Sequence, residues 1–201
     1  MLSVLMLLAG TTFAGHDWNT GSMSNQLLFE PRRVRVWLAK LLAVGTVAGT
    51  LAAVVLLAHW TGLYAVASAR DLVQPEHAVA AAYKQAVLGT LLVGAAGLLG
   101  YGLTMLLRST VGTLGLLLGA TVSGAVAVSA GVESAERVLP WGNFAAFVVG
   151  RYDYYVYSDC FTAECNPVRH IERSGAAVYF LVVLAVVLAA SVASFRVRDV
   201  P

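Results

Sequence analysis

Between Leu41 and Phe195 the chain holds four long runs in which almost nothing can ionise: residues 41–67, 86–107, 111–132 and 174–195. Each reaches the roughly 20 apolar residues that a helix needs to cross a bilayer. Inside hydrocarbon every backbone N–H and C=O needs a partner from the same segment or a closed barrel. Unbroken apolar runs of this length therefore predict helices. The composition agrees: 59% of residues are hydrophobic and only 12% charged, with mean hydropathy +0.76. A soluble domain carries about 25% charged residues. The predicted class is all-α, a polytopic transmembrane helical bundle in one domain over residues 1–201.

A fifth apolar segment opens the chain, residues 1–15. Its apolar core and small-residue end resemble a secretory signal, but the positively charged front of such signals is not there. It reads as a membrane span beginning, or cut, at Met1, and it is short of the roughly 20 residues required. The expected count is five spans.

The interval from His16 to Lys40 is the longest polar stretch near the start, and it carries Arg32, Arg33, Arg35 and Lys40. A short helix can start at Ser22 or Ser24, whose hydroxyls can cap free N–H groups. It ends at Glu30, because the residue before a proline is pushed out of the α region. Pro31 then suits the first turn of a second helix, in which Val34, Trp37, Leu38 and Leu41 share one face. The pattern describes a helix lying at a membrane surface, a bend, and a helix climbing into the bilayer. A plain basic loop holding a membrane protein in place has the same spacing.

Of the other polar stretches, residues 68–85 lie outside the hydrocarbon, and Arg108-Ser109-Thr110 is a short link between antiparallel spans. In 133–150, Pro140-Trp141-Gly142-Asn143 separates two pieces too short to cross, which reads as a re-entrant or interfacial segment. Residues 151–173 form a polar, tyrosine-rich loop holding Cys160 and Cys165. Glycines four apart, Gly45 with Gly49 and Gly115 with Gly119, have the spacing that admits a neighbouring backbone. Glycine is also simply common in membrane helices.

Several chemistries are excluded or disfavoured. No G-x-S-x-G, Walker A or G-x-G-x-x-G motif occurs, so no catalytic residue is assigned and P-loop ATP hydrolysis is not available to this chain. His16, His59, His77 and His170 are scattered, and no metal site is assigned. A net charge of +2 without a basic, aromatic-interleaved patch gives no reason to expect nucleic acid. Spans with almost no ionisable residues argue against ion- or proton-coupled transport and suit a machine driven by another subunit.

The polar interval also resembles the first cytoplasmic loop of the ABC-2 family, the membrane subunits of one class of ATP-driven exporters. The resemblance is carried by Asp17, Gly21-Ser22-Met23, Leu27-Leu28, Pro31, Arg32-Arg33 and Lys40, and it extends to the short pieces before the last span and to the tail Phe195-Arg196-Val197-Arg198-Asp199. It implies an ABC exporter permease working as a dimer beside a separate ATP-binding subunit, which would hold the ATP and magnesium. No cofactor is expected in this chain. It further implies an ATPase-coupling interface at 16–40: Trp18, Met23, Leu27, Leu28 and Phe29 as apolar contacts, Glu30, Arg32 and Arg33 as charged ones, with Asp17, Gly21, Pro31 and Arg35 framing them. The family usually shows six spans; the one not counted here is the first. A truncated or accessory structural membrane protein is the alternative.

With the 16–40 interval inside, the cytoplasm receives Arg32, Arg33, Arg35, Lys40, Arg108, Arg196 and Arg198. The outside receives Arg70, Lys84, Arg137, Arg151, Arg169 and Arg173. The near-even split does not decide orientation. The tight clustering of the inner set at span ends, the cysteine pair facing an oxidising side and the resemblance favour this one, with the carboxyl terminus cytoplasmic in a cell membrane. Cys160 and Cys165 are expected to be bridged through a short turn aided by Asn166-Pro167. Two free thiols are the other reading.

Overall fold

The structure, a computed structural model, describes residues 1–72, 75, 77–156 and 168–198, with backbone alone at 133 and 134. Each apolar run becomes a helix: α1 (Leu2–Asn19), α3 (Arg33–Ala69), α4 (Ala78–Leu107), α5 (Thr110–Ser129) and α8 (Arg173–Val197). Three short helices are α2 (Ser22–Phe29), α6 (Glu133–Val138) and α7 (Pro140–Val149). Among the described residues the chain is all-α apart from one hairpin, β1 (Arg151–Tyr155) with β2 (Val168–Glu172). Four helices among the described residues, α3, α4, α5 and α8, are long and apolar enough to cross a membrane, which is compatible with a multi-pass membrane protein. α1 is not among them, because its last turn holds His16, Asp17 and Asn19.

The chain divides into two compact units, residues 1–113 with 184–201, and residues 114–183. In the first, α4 packs against both α1 and α3. Half of its most apolar window is buried, against 11% for α3, although its hydropathy, 1.8, is the lower of the two (2.4 for α3). Glycines make the difference. A Cβ on Gly10 of α1 would collide with the Gly97 carbonyl oxygen, and one on Gly100 with that of Leu7. The two backbones touch directly, as small residues permit in a bilayer, where packing rather than water exclusion drives helix association. The small-residue end of the first apolar segment is thus its contact face: Gly10, Thr11, Ala14 and Gly15 are buried.

In the second unit, Pro140 occupies the first turn of α7, where its missing N–H is not needed. The Asn143 amide donates to the carbonyls of Arg137 (2.8 Å) and Leu139 (2.9 Å), fastening the end of α6 to α7. The hairpin is antiparallel, from Arg151 opposite Glu172 to Tyr155 opposite Val168. Ile171 packs with Ala146 and Ala176 beside Phe147, Tyr152 and Tyr154. The Arg173 guanidinium donates to the carbonyls of Phe147 (2.9 Å) and Val148 (3.4 Å), meeting the negative end of α7 with a cation.

Several expectations are corrected. Gly21, not a serine, caps α2: its φ of +68° is a left-handed conformation that favours glycine, and no side chain caps the helix. Pro31 precedes α3 rather than entering its first turn, since Arg32 is the N-cap. Trp37, Val44, Ala48 and Ala52 form the buried stripe of α3, while Val34 and Leu38 face outward. The tightest helix contacts fall at Gly10, Gly15 and Gly100; of the glycines four apart, Gly45 packs against Leu98 of α4, whereas a Cβ on Gly49, Gly115 or Gly119 would meet nothing. Helix α4 begins at Ala78, eight residues before its apolar run, and the 151–173 loop contains a hairpin. The Cys160–Cys165 pairing lies outside the described residues.

Candidate functional site

At the polar end of the first unit, α1 leads into α2 through Thr20 and Gly21, and α2 leads into α3 through Glu30, Pro31 and Arg32. Helix α2 is therefore a short rod between two non-helical joints. The Glu30 joint is extended, with φ −127° and ψ 97°, as the following proline demands.

Beneath the rod, Ala14, Met23, Trp37, Val44, Tyr101, Met105 and Phe195 form one core, with Trp18, Leu27 and Leu41 packed against it. Trp37 donates its indole N–H to the Ser191 hydroxyl (3.1 Å), tying α3 to α8. The Tyr101 hydroxyl donates to the Trp37 carbonyl (3.0 Å), tying α4 to α3. Both hydrogen bonds are buried, and burial makes them costly to leave unmade. Trp18 stands edge-on to Phe195 at 6.2 Å, with the Arg108 guanidinium over its ring at 4.8 Å.

One ion pair crosses this core. The Lys40 ammonium donates to the Asp17 carboxylate at 2.5 Å, and their side chains are only 12% and 10% exposed. Lys40 also lies over the Phe13 ring at 5.6 Å. Two charges this shielded are tolerable only as a pair. The pair fastens the end of α1 to the start of α3 across the loop that carries α2.

The predicted interface residues divide accordingly. Asp17, Trp18, Met23 and Leu27 serve the protein's own interior; Met23 is 1% exposed. Leu28 and Phe29 are 81% and 91% exposed at the tip of the rod. Gly21 and Pro31 form the joints. Glu30 accepts the Arg32 backbone N–H (3.2 Å) and faces Arg35 at 3.7 Å. Arg33 does not face outward alone: it donates to the carbonyls of Arg198 (2.7 Å) and Phe195 (3.4 Å) at the end of α8. Arg196 and Arg108 belong to the same region but were not in the predicted set. Their signal was available, since both are basic residues at a span end.

In the second unit, burial and then the Glu136 carboxylate beside it raise the Tyr152 phenol above its ordinary range. Compared with known proteins, the chain matches no family model, no curated protein and no solved structure.

Proposed function

We propose that the chain is the membrane-spanning subunit of an ATP-driven exporter of the ABC-2 type. It would work in a cell membrane as a dimer, each copy beside a separate ATP-binding subunit that holds ATP and magnesium. Five helices, α1, α3, α4, α5 and α8, would span the bilayer, with α6 and α7 as a re-entrant pair outside and the carboxyl terminus in the cytoplasm. Closure of the ATP-binding subunits would push on the tip of α2. The joints at Gly21 and Pro31 let the rod tilt as one body, and the Asp17–Lys40 pair would carry the push into α1 and α3 together.

The observation that supports this reading is the two-faced rod. Met23 and Leu27 root α2 in the core, while Leu28 and Phe29 stand exposed beside Arg32 and Arg35. An apolar tip with a basic flank is the form of a contact surface, since burying each large side chain would contribute about 1.5–3 kcal/mol. The test is Leu28→Asp with Phe29→Asp. The double variant is expected to insert and fold normally, because both residues already face outward, and to lose co-purification with the ATP-binding subunit. Full retention of that subunit would contradict the reading.

A further inference from the structure

Three exposed arginines and one half-buried one gather where α3 begins and α8 ends. Arg32, Arg33, Arg35 and Arg196, with Val34, line an open pocket of about 380 Å³. Arg33 is fixed in place by the carbonyls of Phe195 and Arg198, and it thereby occupies two oxygens that would otherwise repel an anion. Arg32, Arg35 and Arg196 are exposed. Among the described residues, the acid that faces this group is Glu30, and its 3.7 Å pair with Arg35 is solvent-exposed and weak. Positive charge is therefore in excess.

Depth identifies what the charge meets. Arg35 precedes the apolar run that starts at Leu41 by six residues of helix, about 9 Å at 1.5 Å per residue. The headgroup layer is about 5–8 Å thick on each side of the hydrocarbon. Arg196 directly follows the last apolar run, which ends at Phe195. Arg196 thus stands at headgroup level, and the Arg35 backbone lies just beyond that layer on an untilted helix, a gap that a long arginine side chain can bridge. Guanidinium groups grip phosphate through paired, parallel N–H donors.

We propose that this pocket is a binding site for the phosphate headgroup of an anionic phospholipid. It clamps the start of α3 and the end of α8 to the membrane surface. The proposal is independent of the exporter reading, because it is measured without an ATP-binding subunit.

The experiment purifies the full chain with equal mole fractions of phosphatidylglycerol and phosphatidylcholine and counts retained lipid by native mass spectrometry. The unaltered protein is expected to prefer phosphatidylglycerol about tenfold, and Arg32→Gln with Arg35→Gln and Arg196→Gln to abolish the preference. The same three positions changed to Lys keep the charge and are expected to retain part of it. Arg151→Gln with Arg169→Gln, on the hairpin, removes charge elsewhere and is expected to change nothing. Millimolar inorganic phosphate is expected not to displace the lipid. Undiminished preference in the glutamine variant, or equal loss in the hairpin control, would overturn the proposal. So would displacement by free phosphate, which would make the site one for a soluble anion.

Discussion

Lys40 meets a carboxylate, whereas Arg173, among the described residues, meets only carbonyls. In the first unit Lys40 and Asp17 face each other with little of either side chain exposed. In the second, Arg173 spreads its charge over the carbonyls of Phe147 and Val148 at the end of α7. Each cation joins separate elements, but the two joints differ in kind. The first sets full charge against full charge, so losing one partner strands the other inside an almost uncharged bundle. The second sets a charge against dipoles, and its loss leaves neutral groups to be re-hydrated. The contrast separates an all-or-none brace under α2 from a clip that holds a hairpin and can be weakened by degrees.

The largest expected effect breaks the brace. Asp17→Leu alone, or Lys40→Met alone, is expected to destabilise the protein by about 3–5 kcal/mol, because each leaves one shielded charge without its partner. The double variant is expected to recover most of that loss. Denaturant unfolding of the purified protein in detergent measures all three, and a double variant as weak as the singles would show that the pair is more than a charge balance. Arg173→Gln sharpens the other side of the contrast. A smaller loss of about 1–3 kcal/mol is expected, seen as faster amide exchange in α7 and β1 and little change at Trp37. Loss of protection in the first unit as well would deny the two joints their independence.

Much of the fold was legible in the sequence because long apolar runs leave the backbone no choice but helix. The bounds of α2 were legible too, since Pro31 forbids Glu30 from continuing it. What was not legible follows from the solvent. In lipid an apolar side chain need not be buried, so a hydrophobic stripe such as Val34–Trp37–Leu38–Leu41 does not reveal which face packs. Val34 and Leu38 are exposed, while Trp37 and Val44 are buried. The packing face is written instead in small residues, Gly10 against Gly97 and Gly100 against Leu7. The hairpin was hidden in a polar loop, although Tyr152 and Tyr154 alternate with polar neighbours at strand period. At the candidate site the resemblance named Asp17 and Lys40 for their positions at span ends. Their pairing across 23 residues is a product of the α1–α2–α3 path, which no local spacing encodes.

The central claim is that the rod α2 offers its tip, not its root, to an ATP-binding subunit. A photoreactive phenylalanine analogue placed at Phe29, and separately at Met23, tests it in intact membranes that contain the chain together with the proposed ATP-binding subunit. The account predicts a cross-linked product of the two subunits from position 29, which is 91% exposed, and none from position 23, which is 1% exposed. Cross-linking from position 23, or adducts from position 29 to lipid alone, would contradict it.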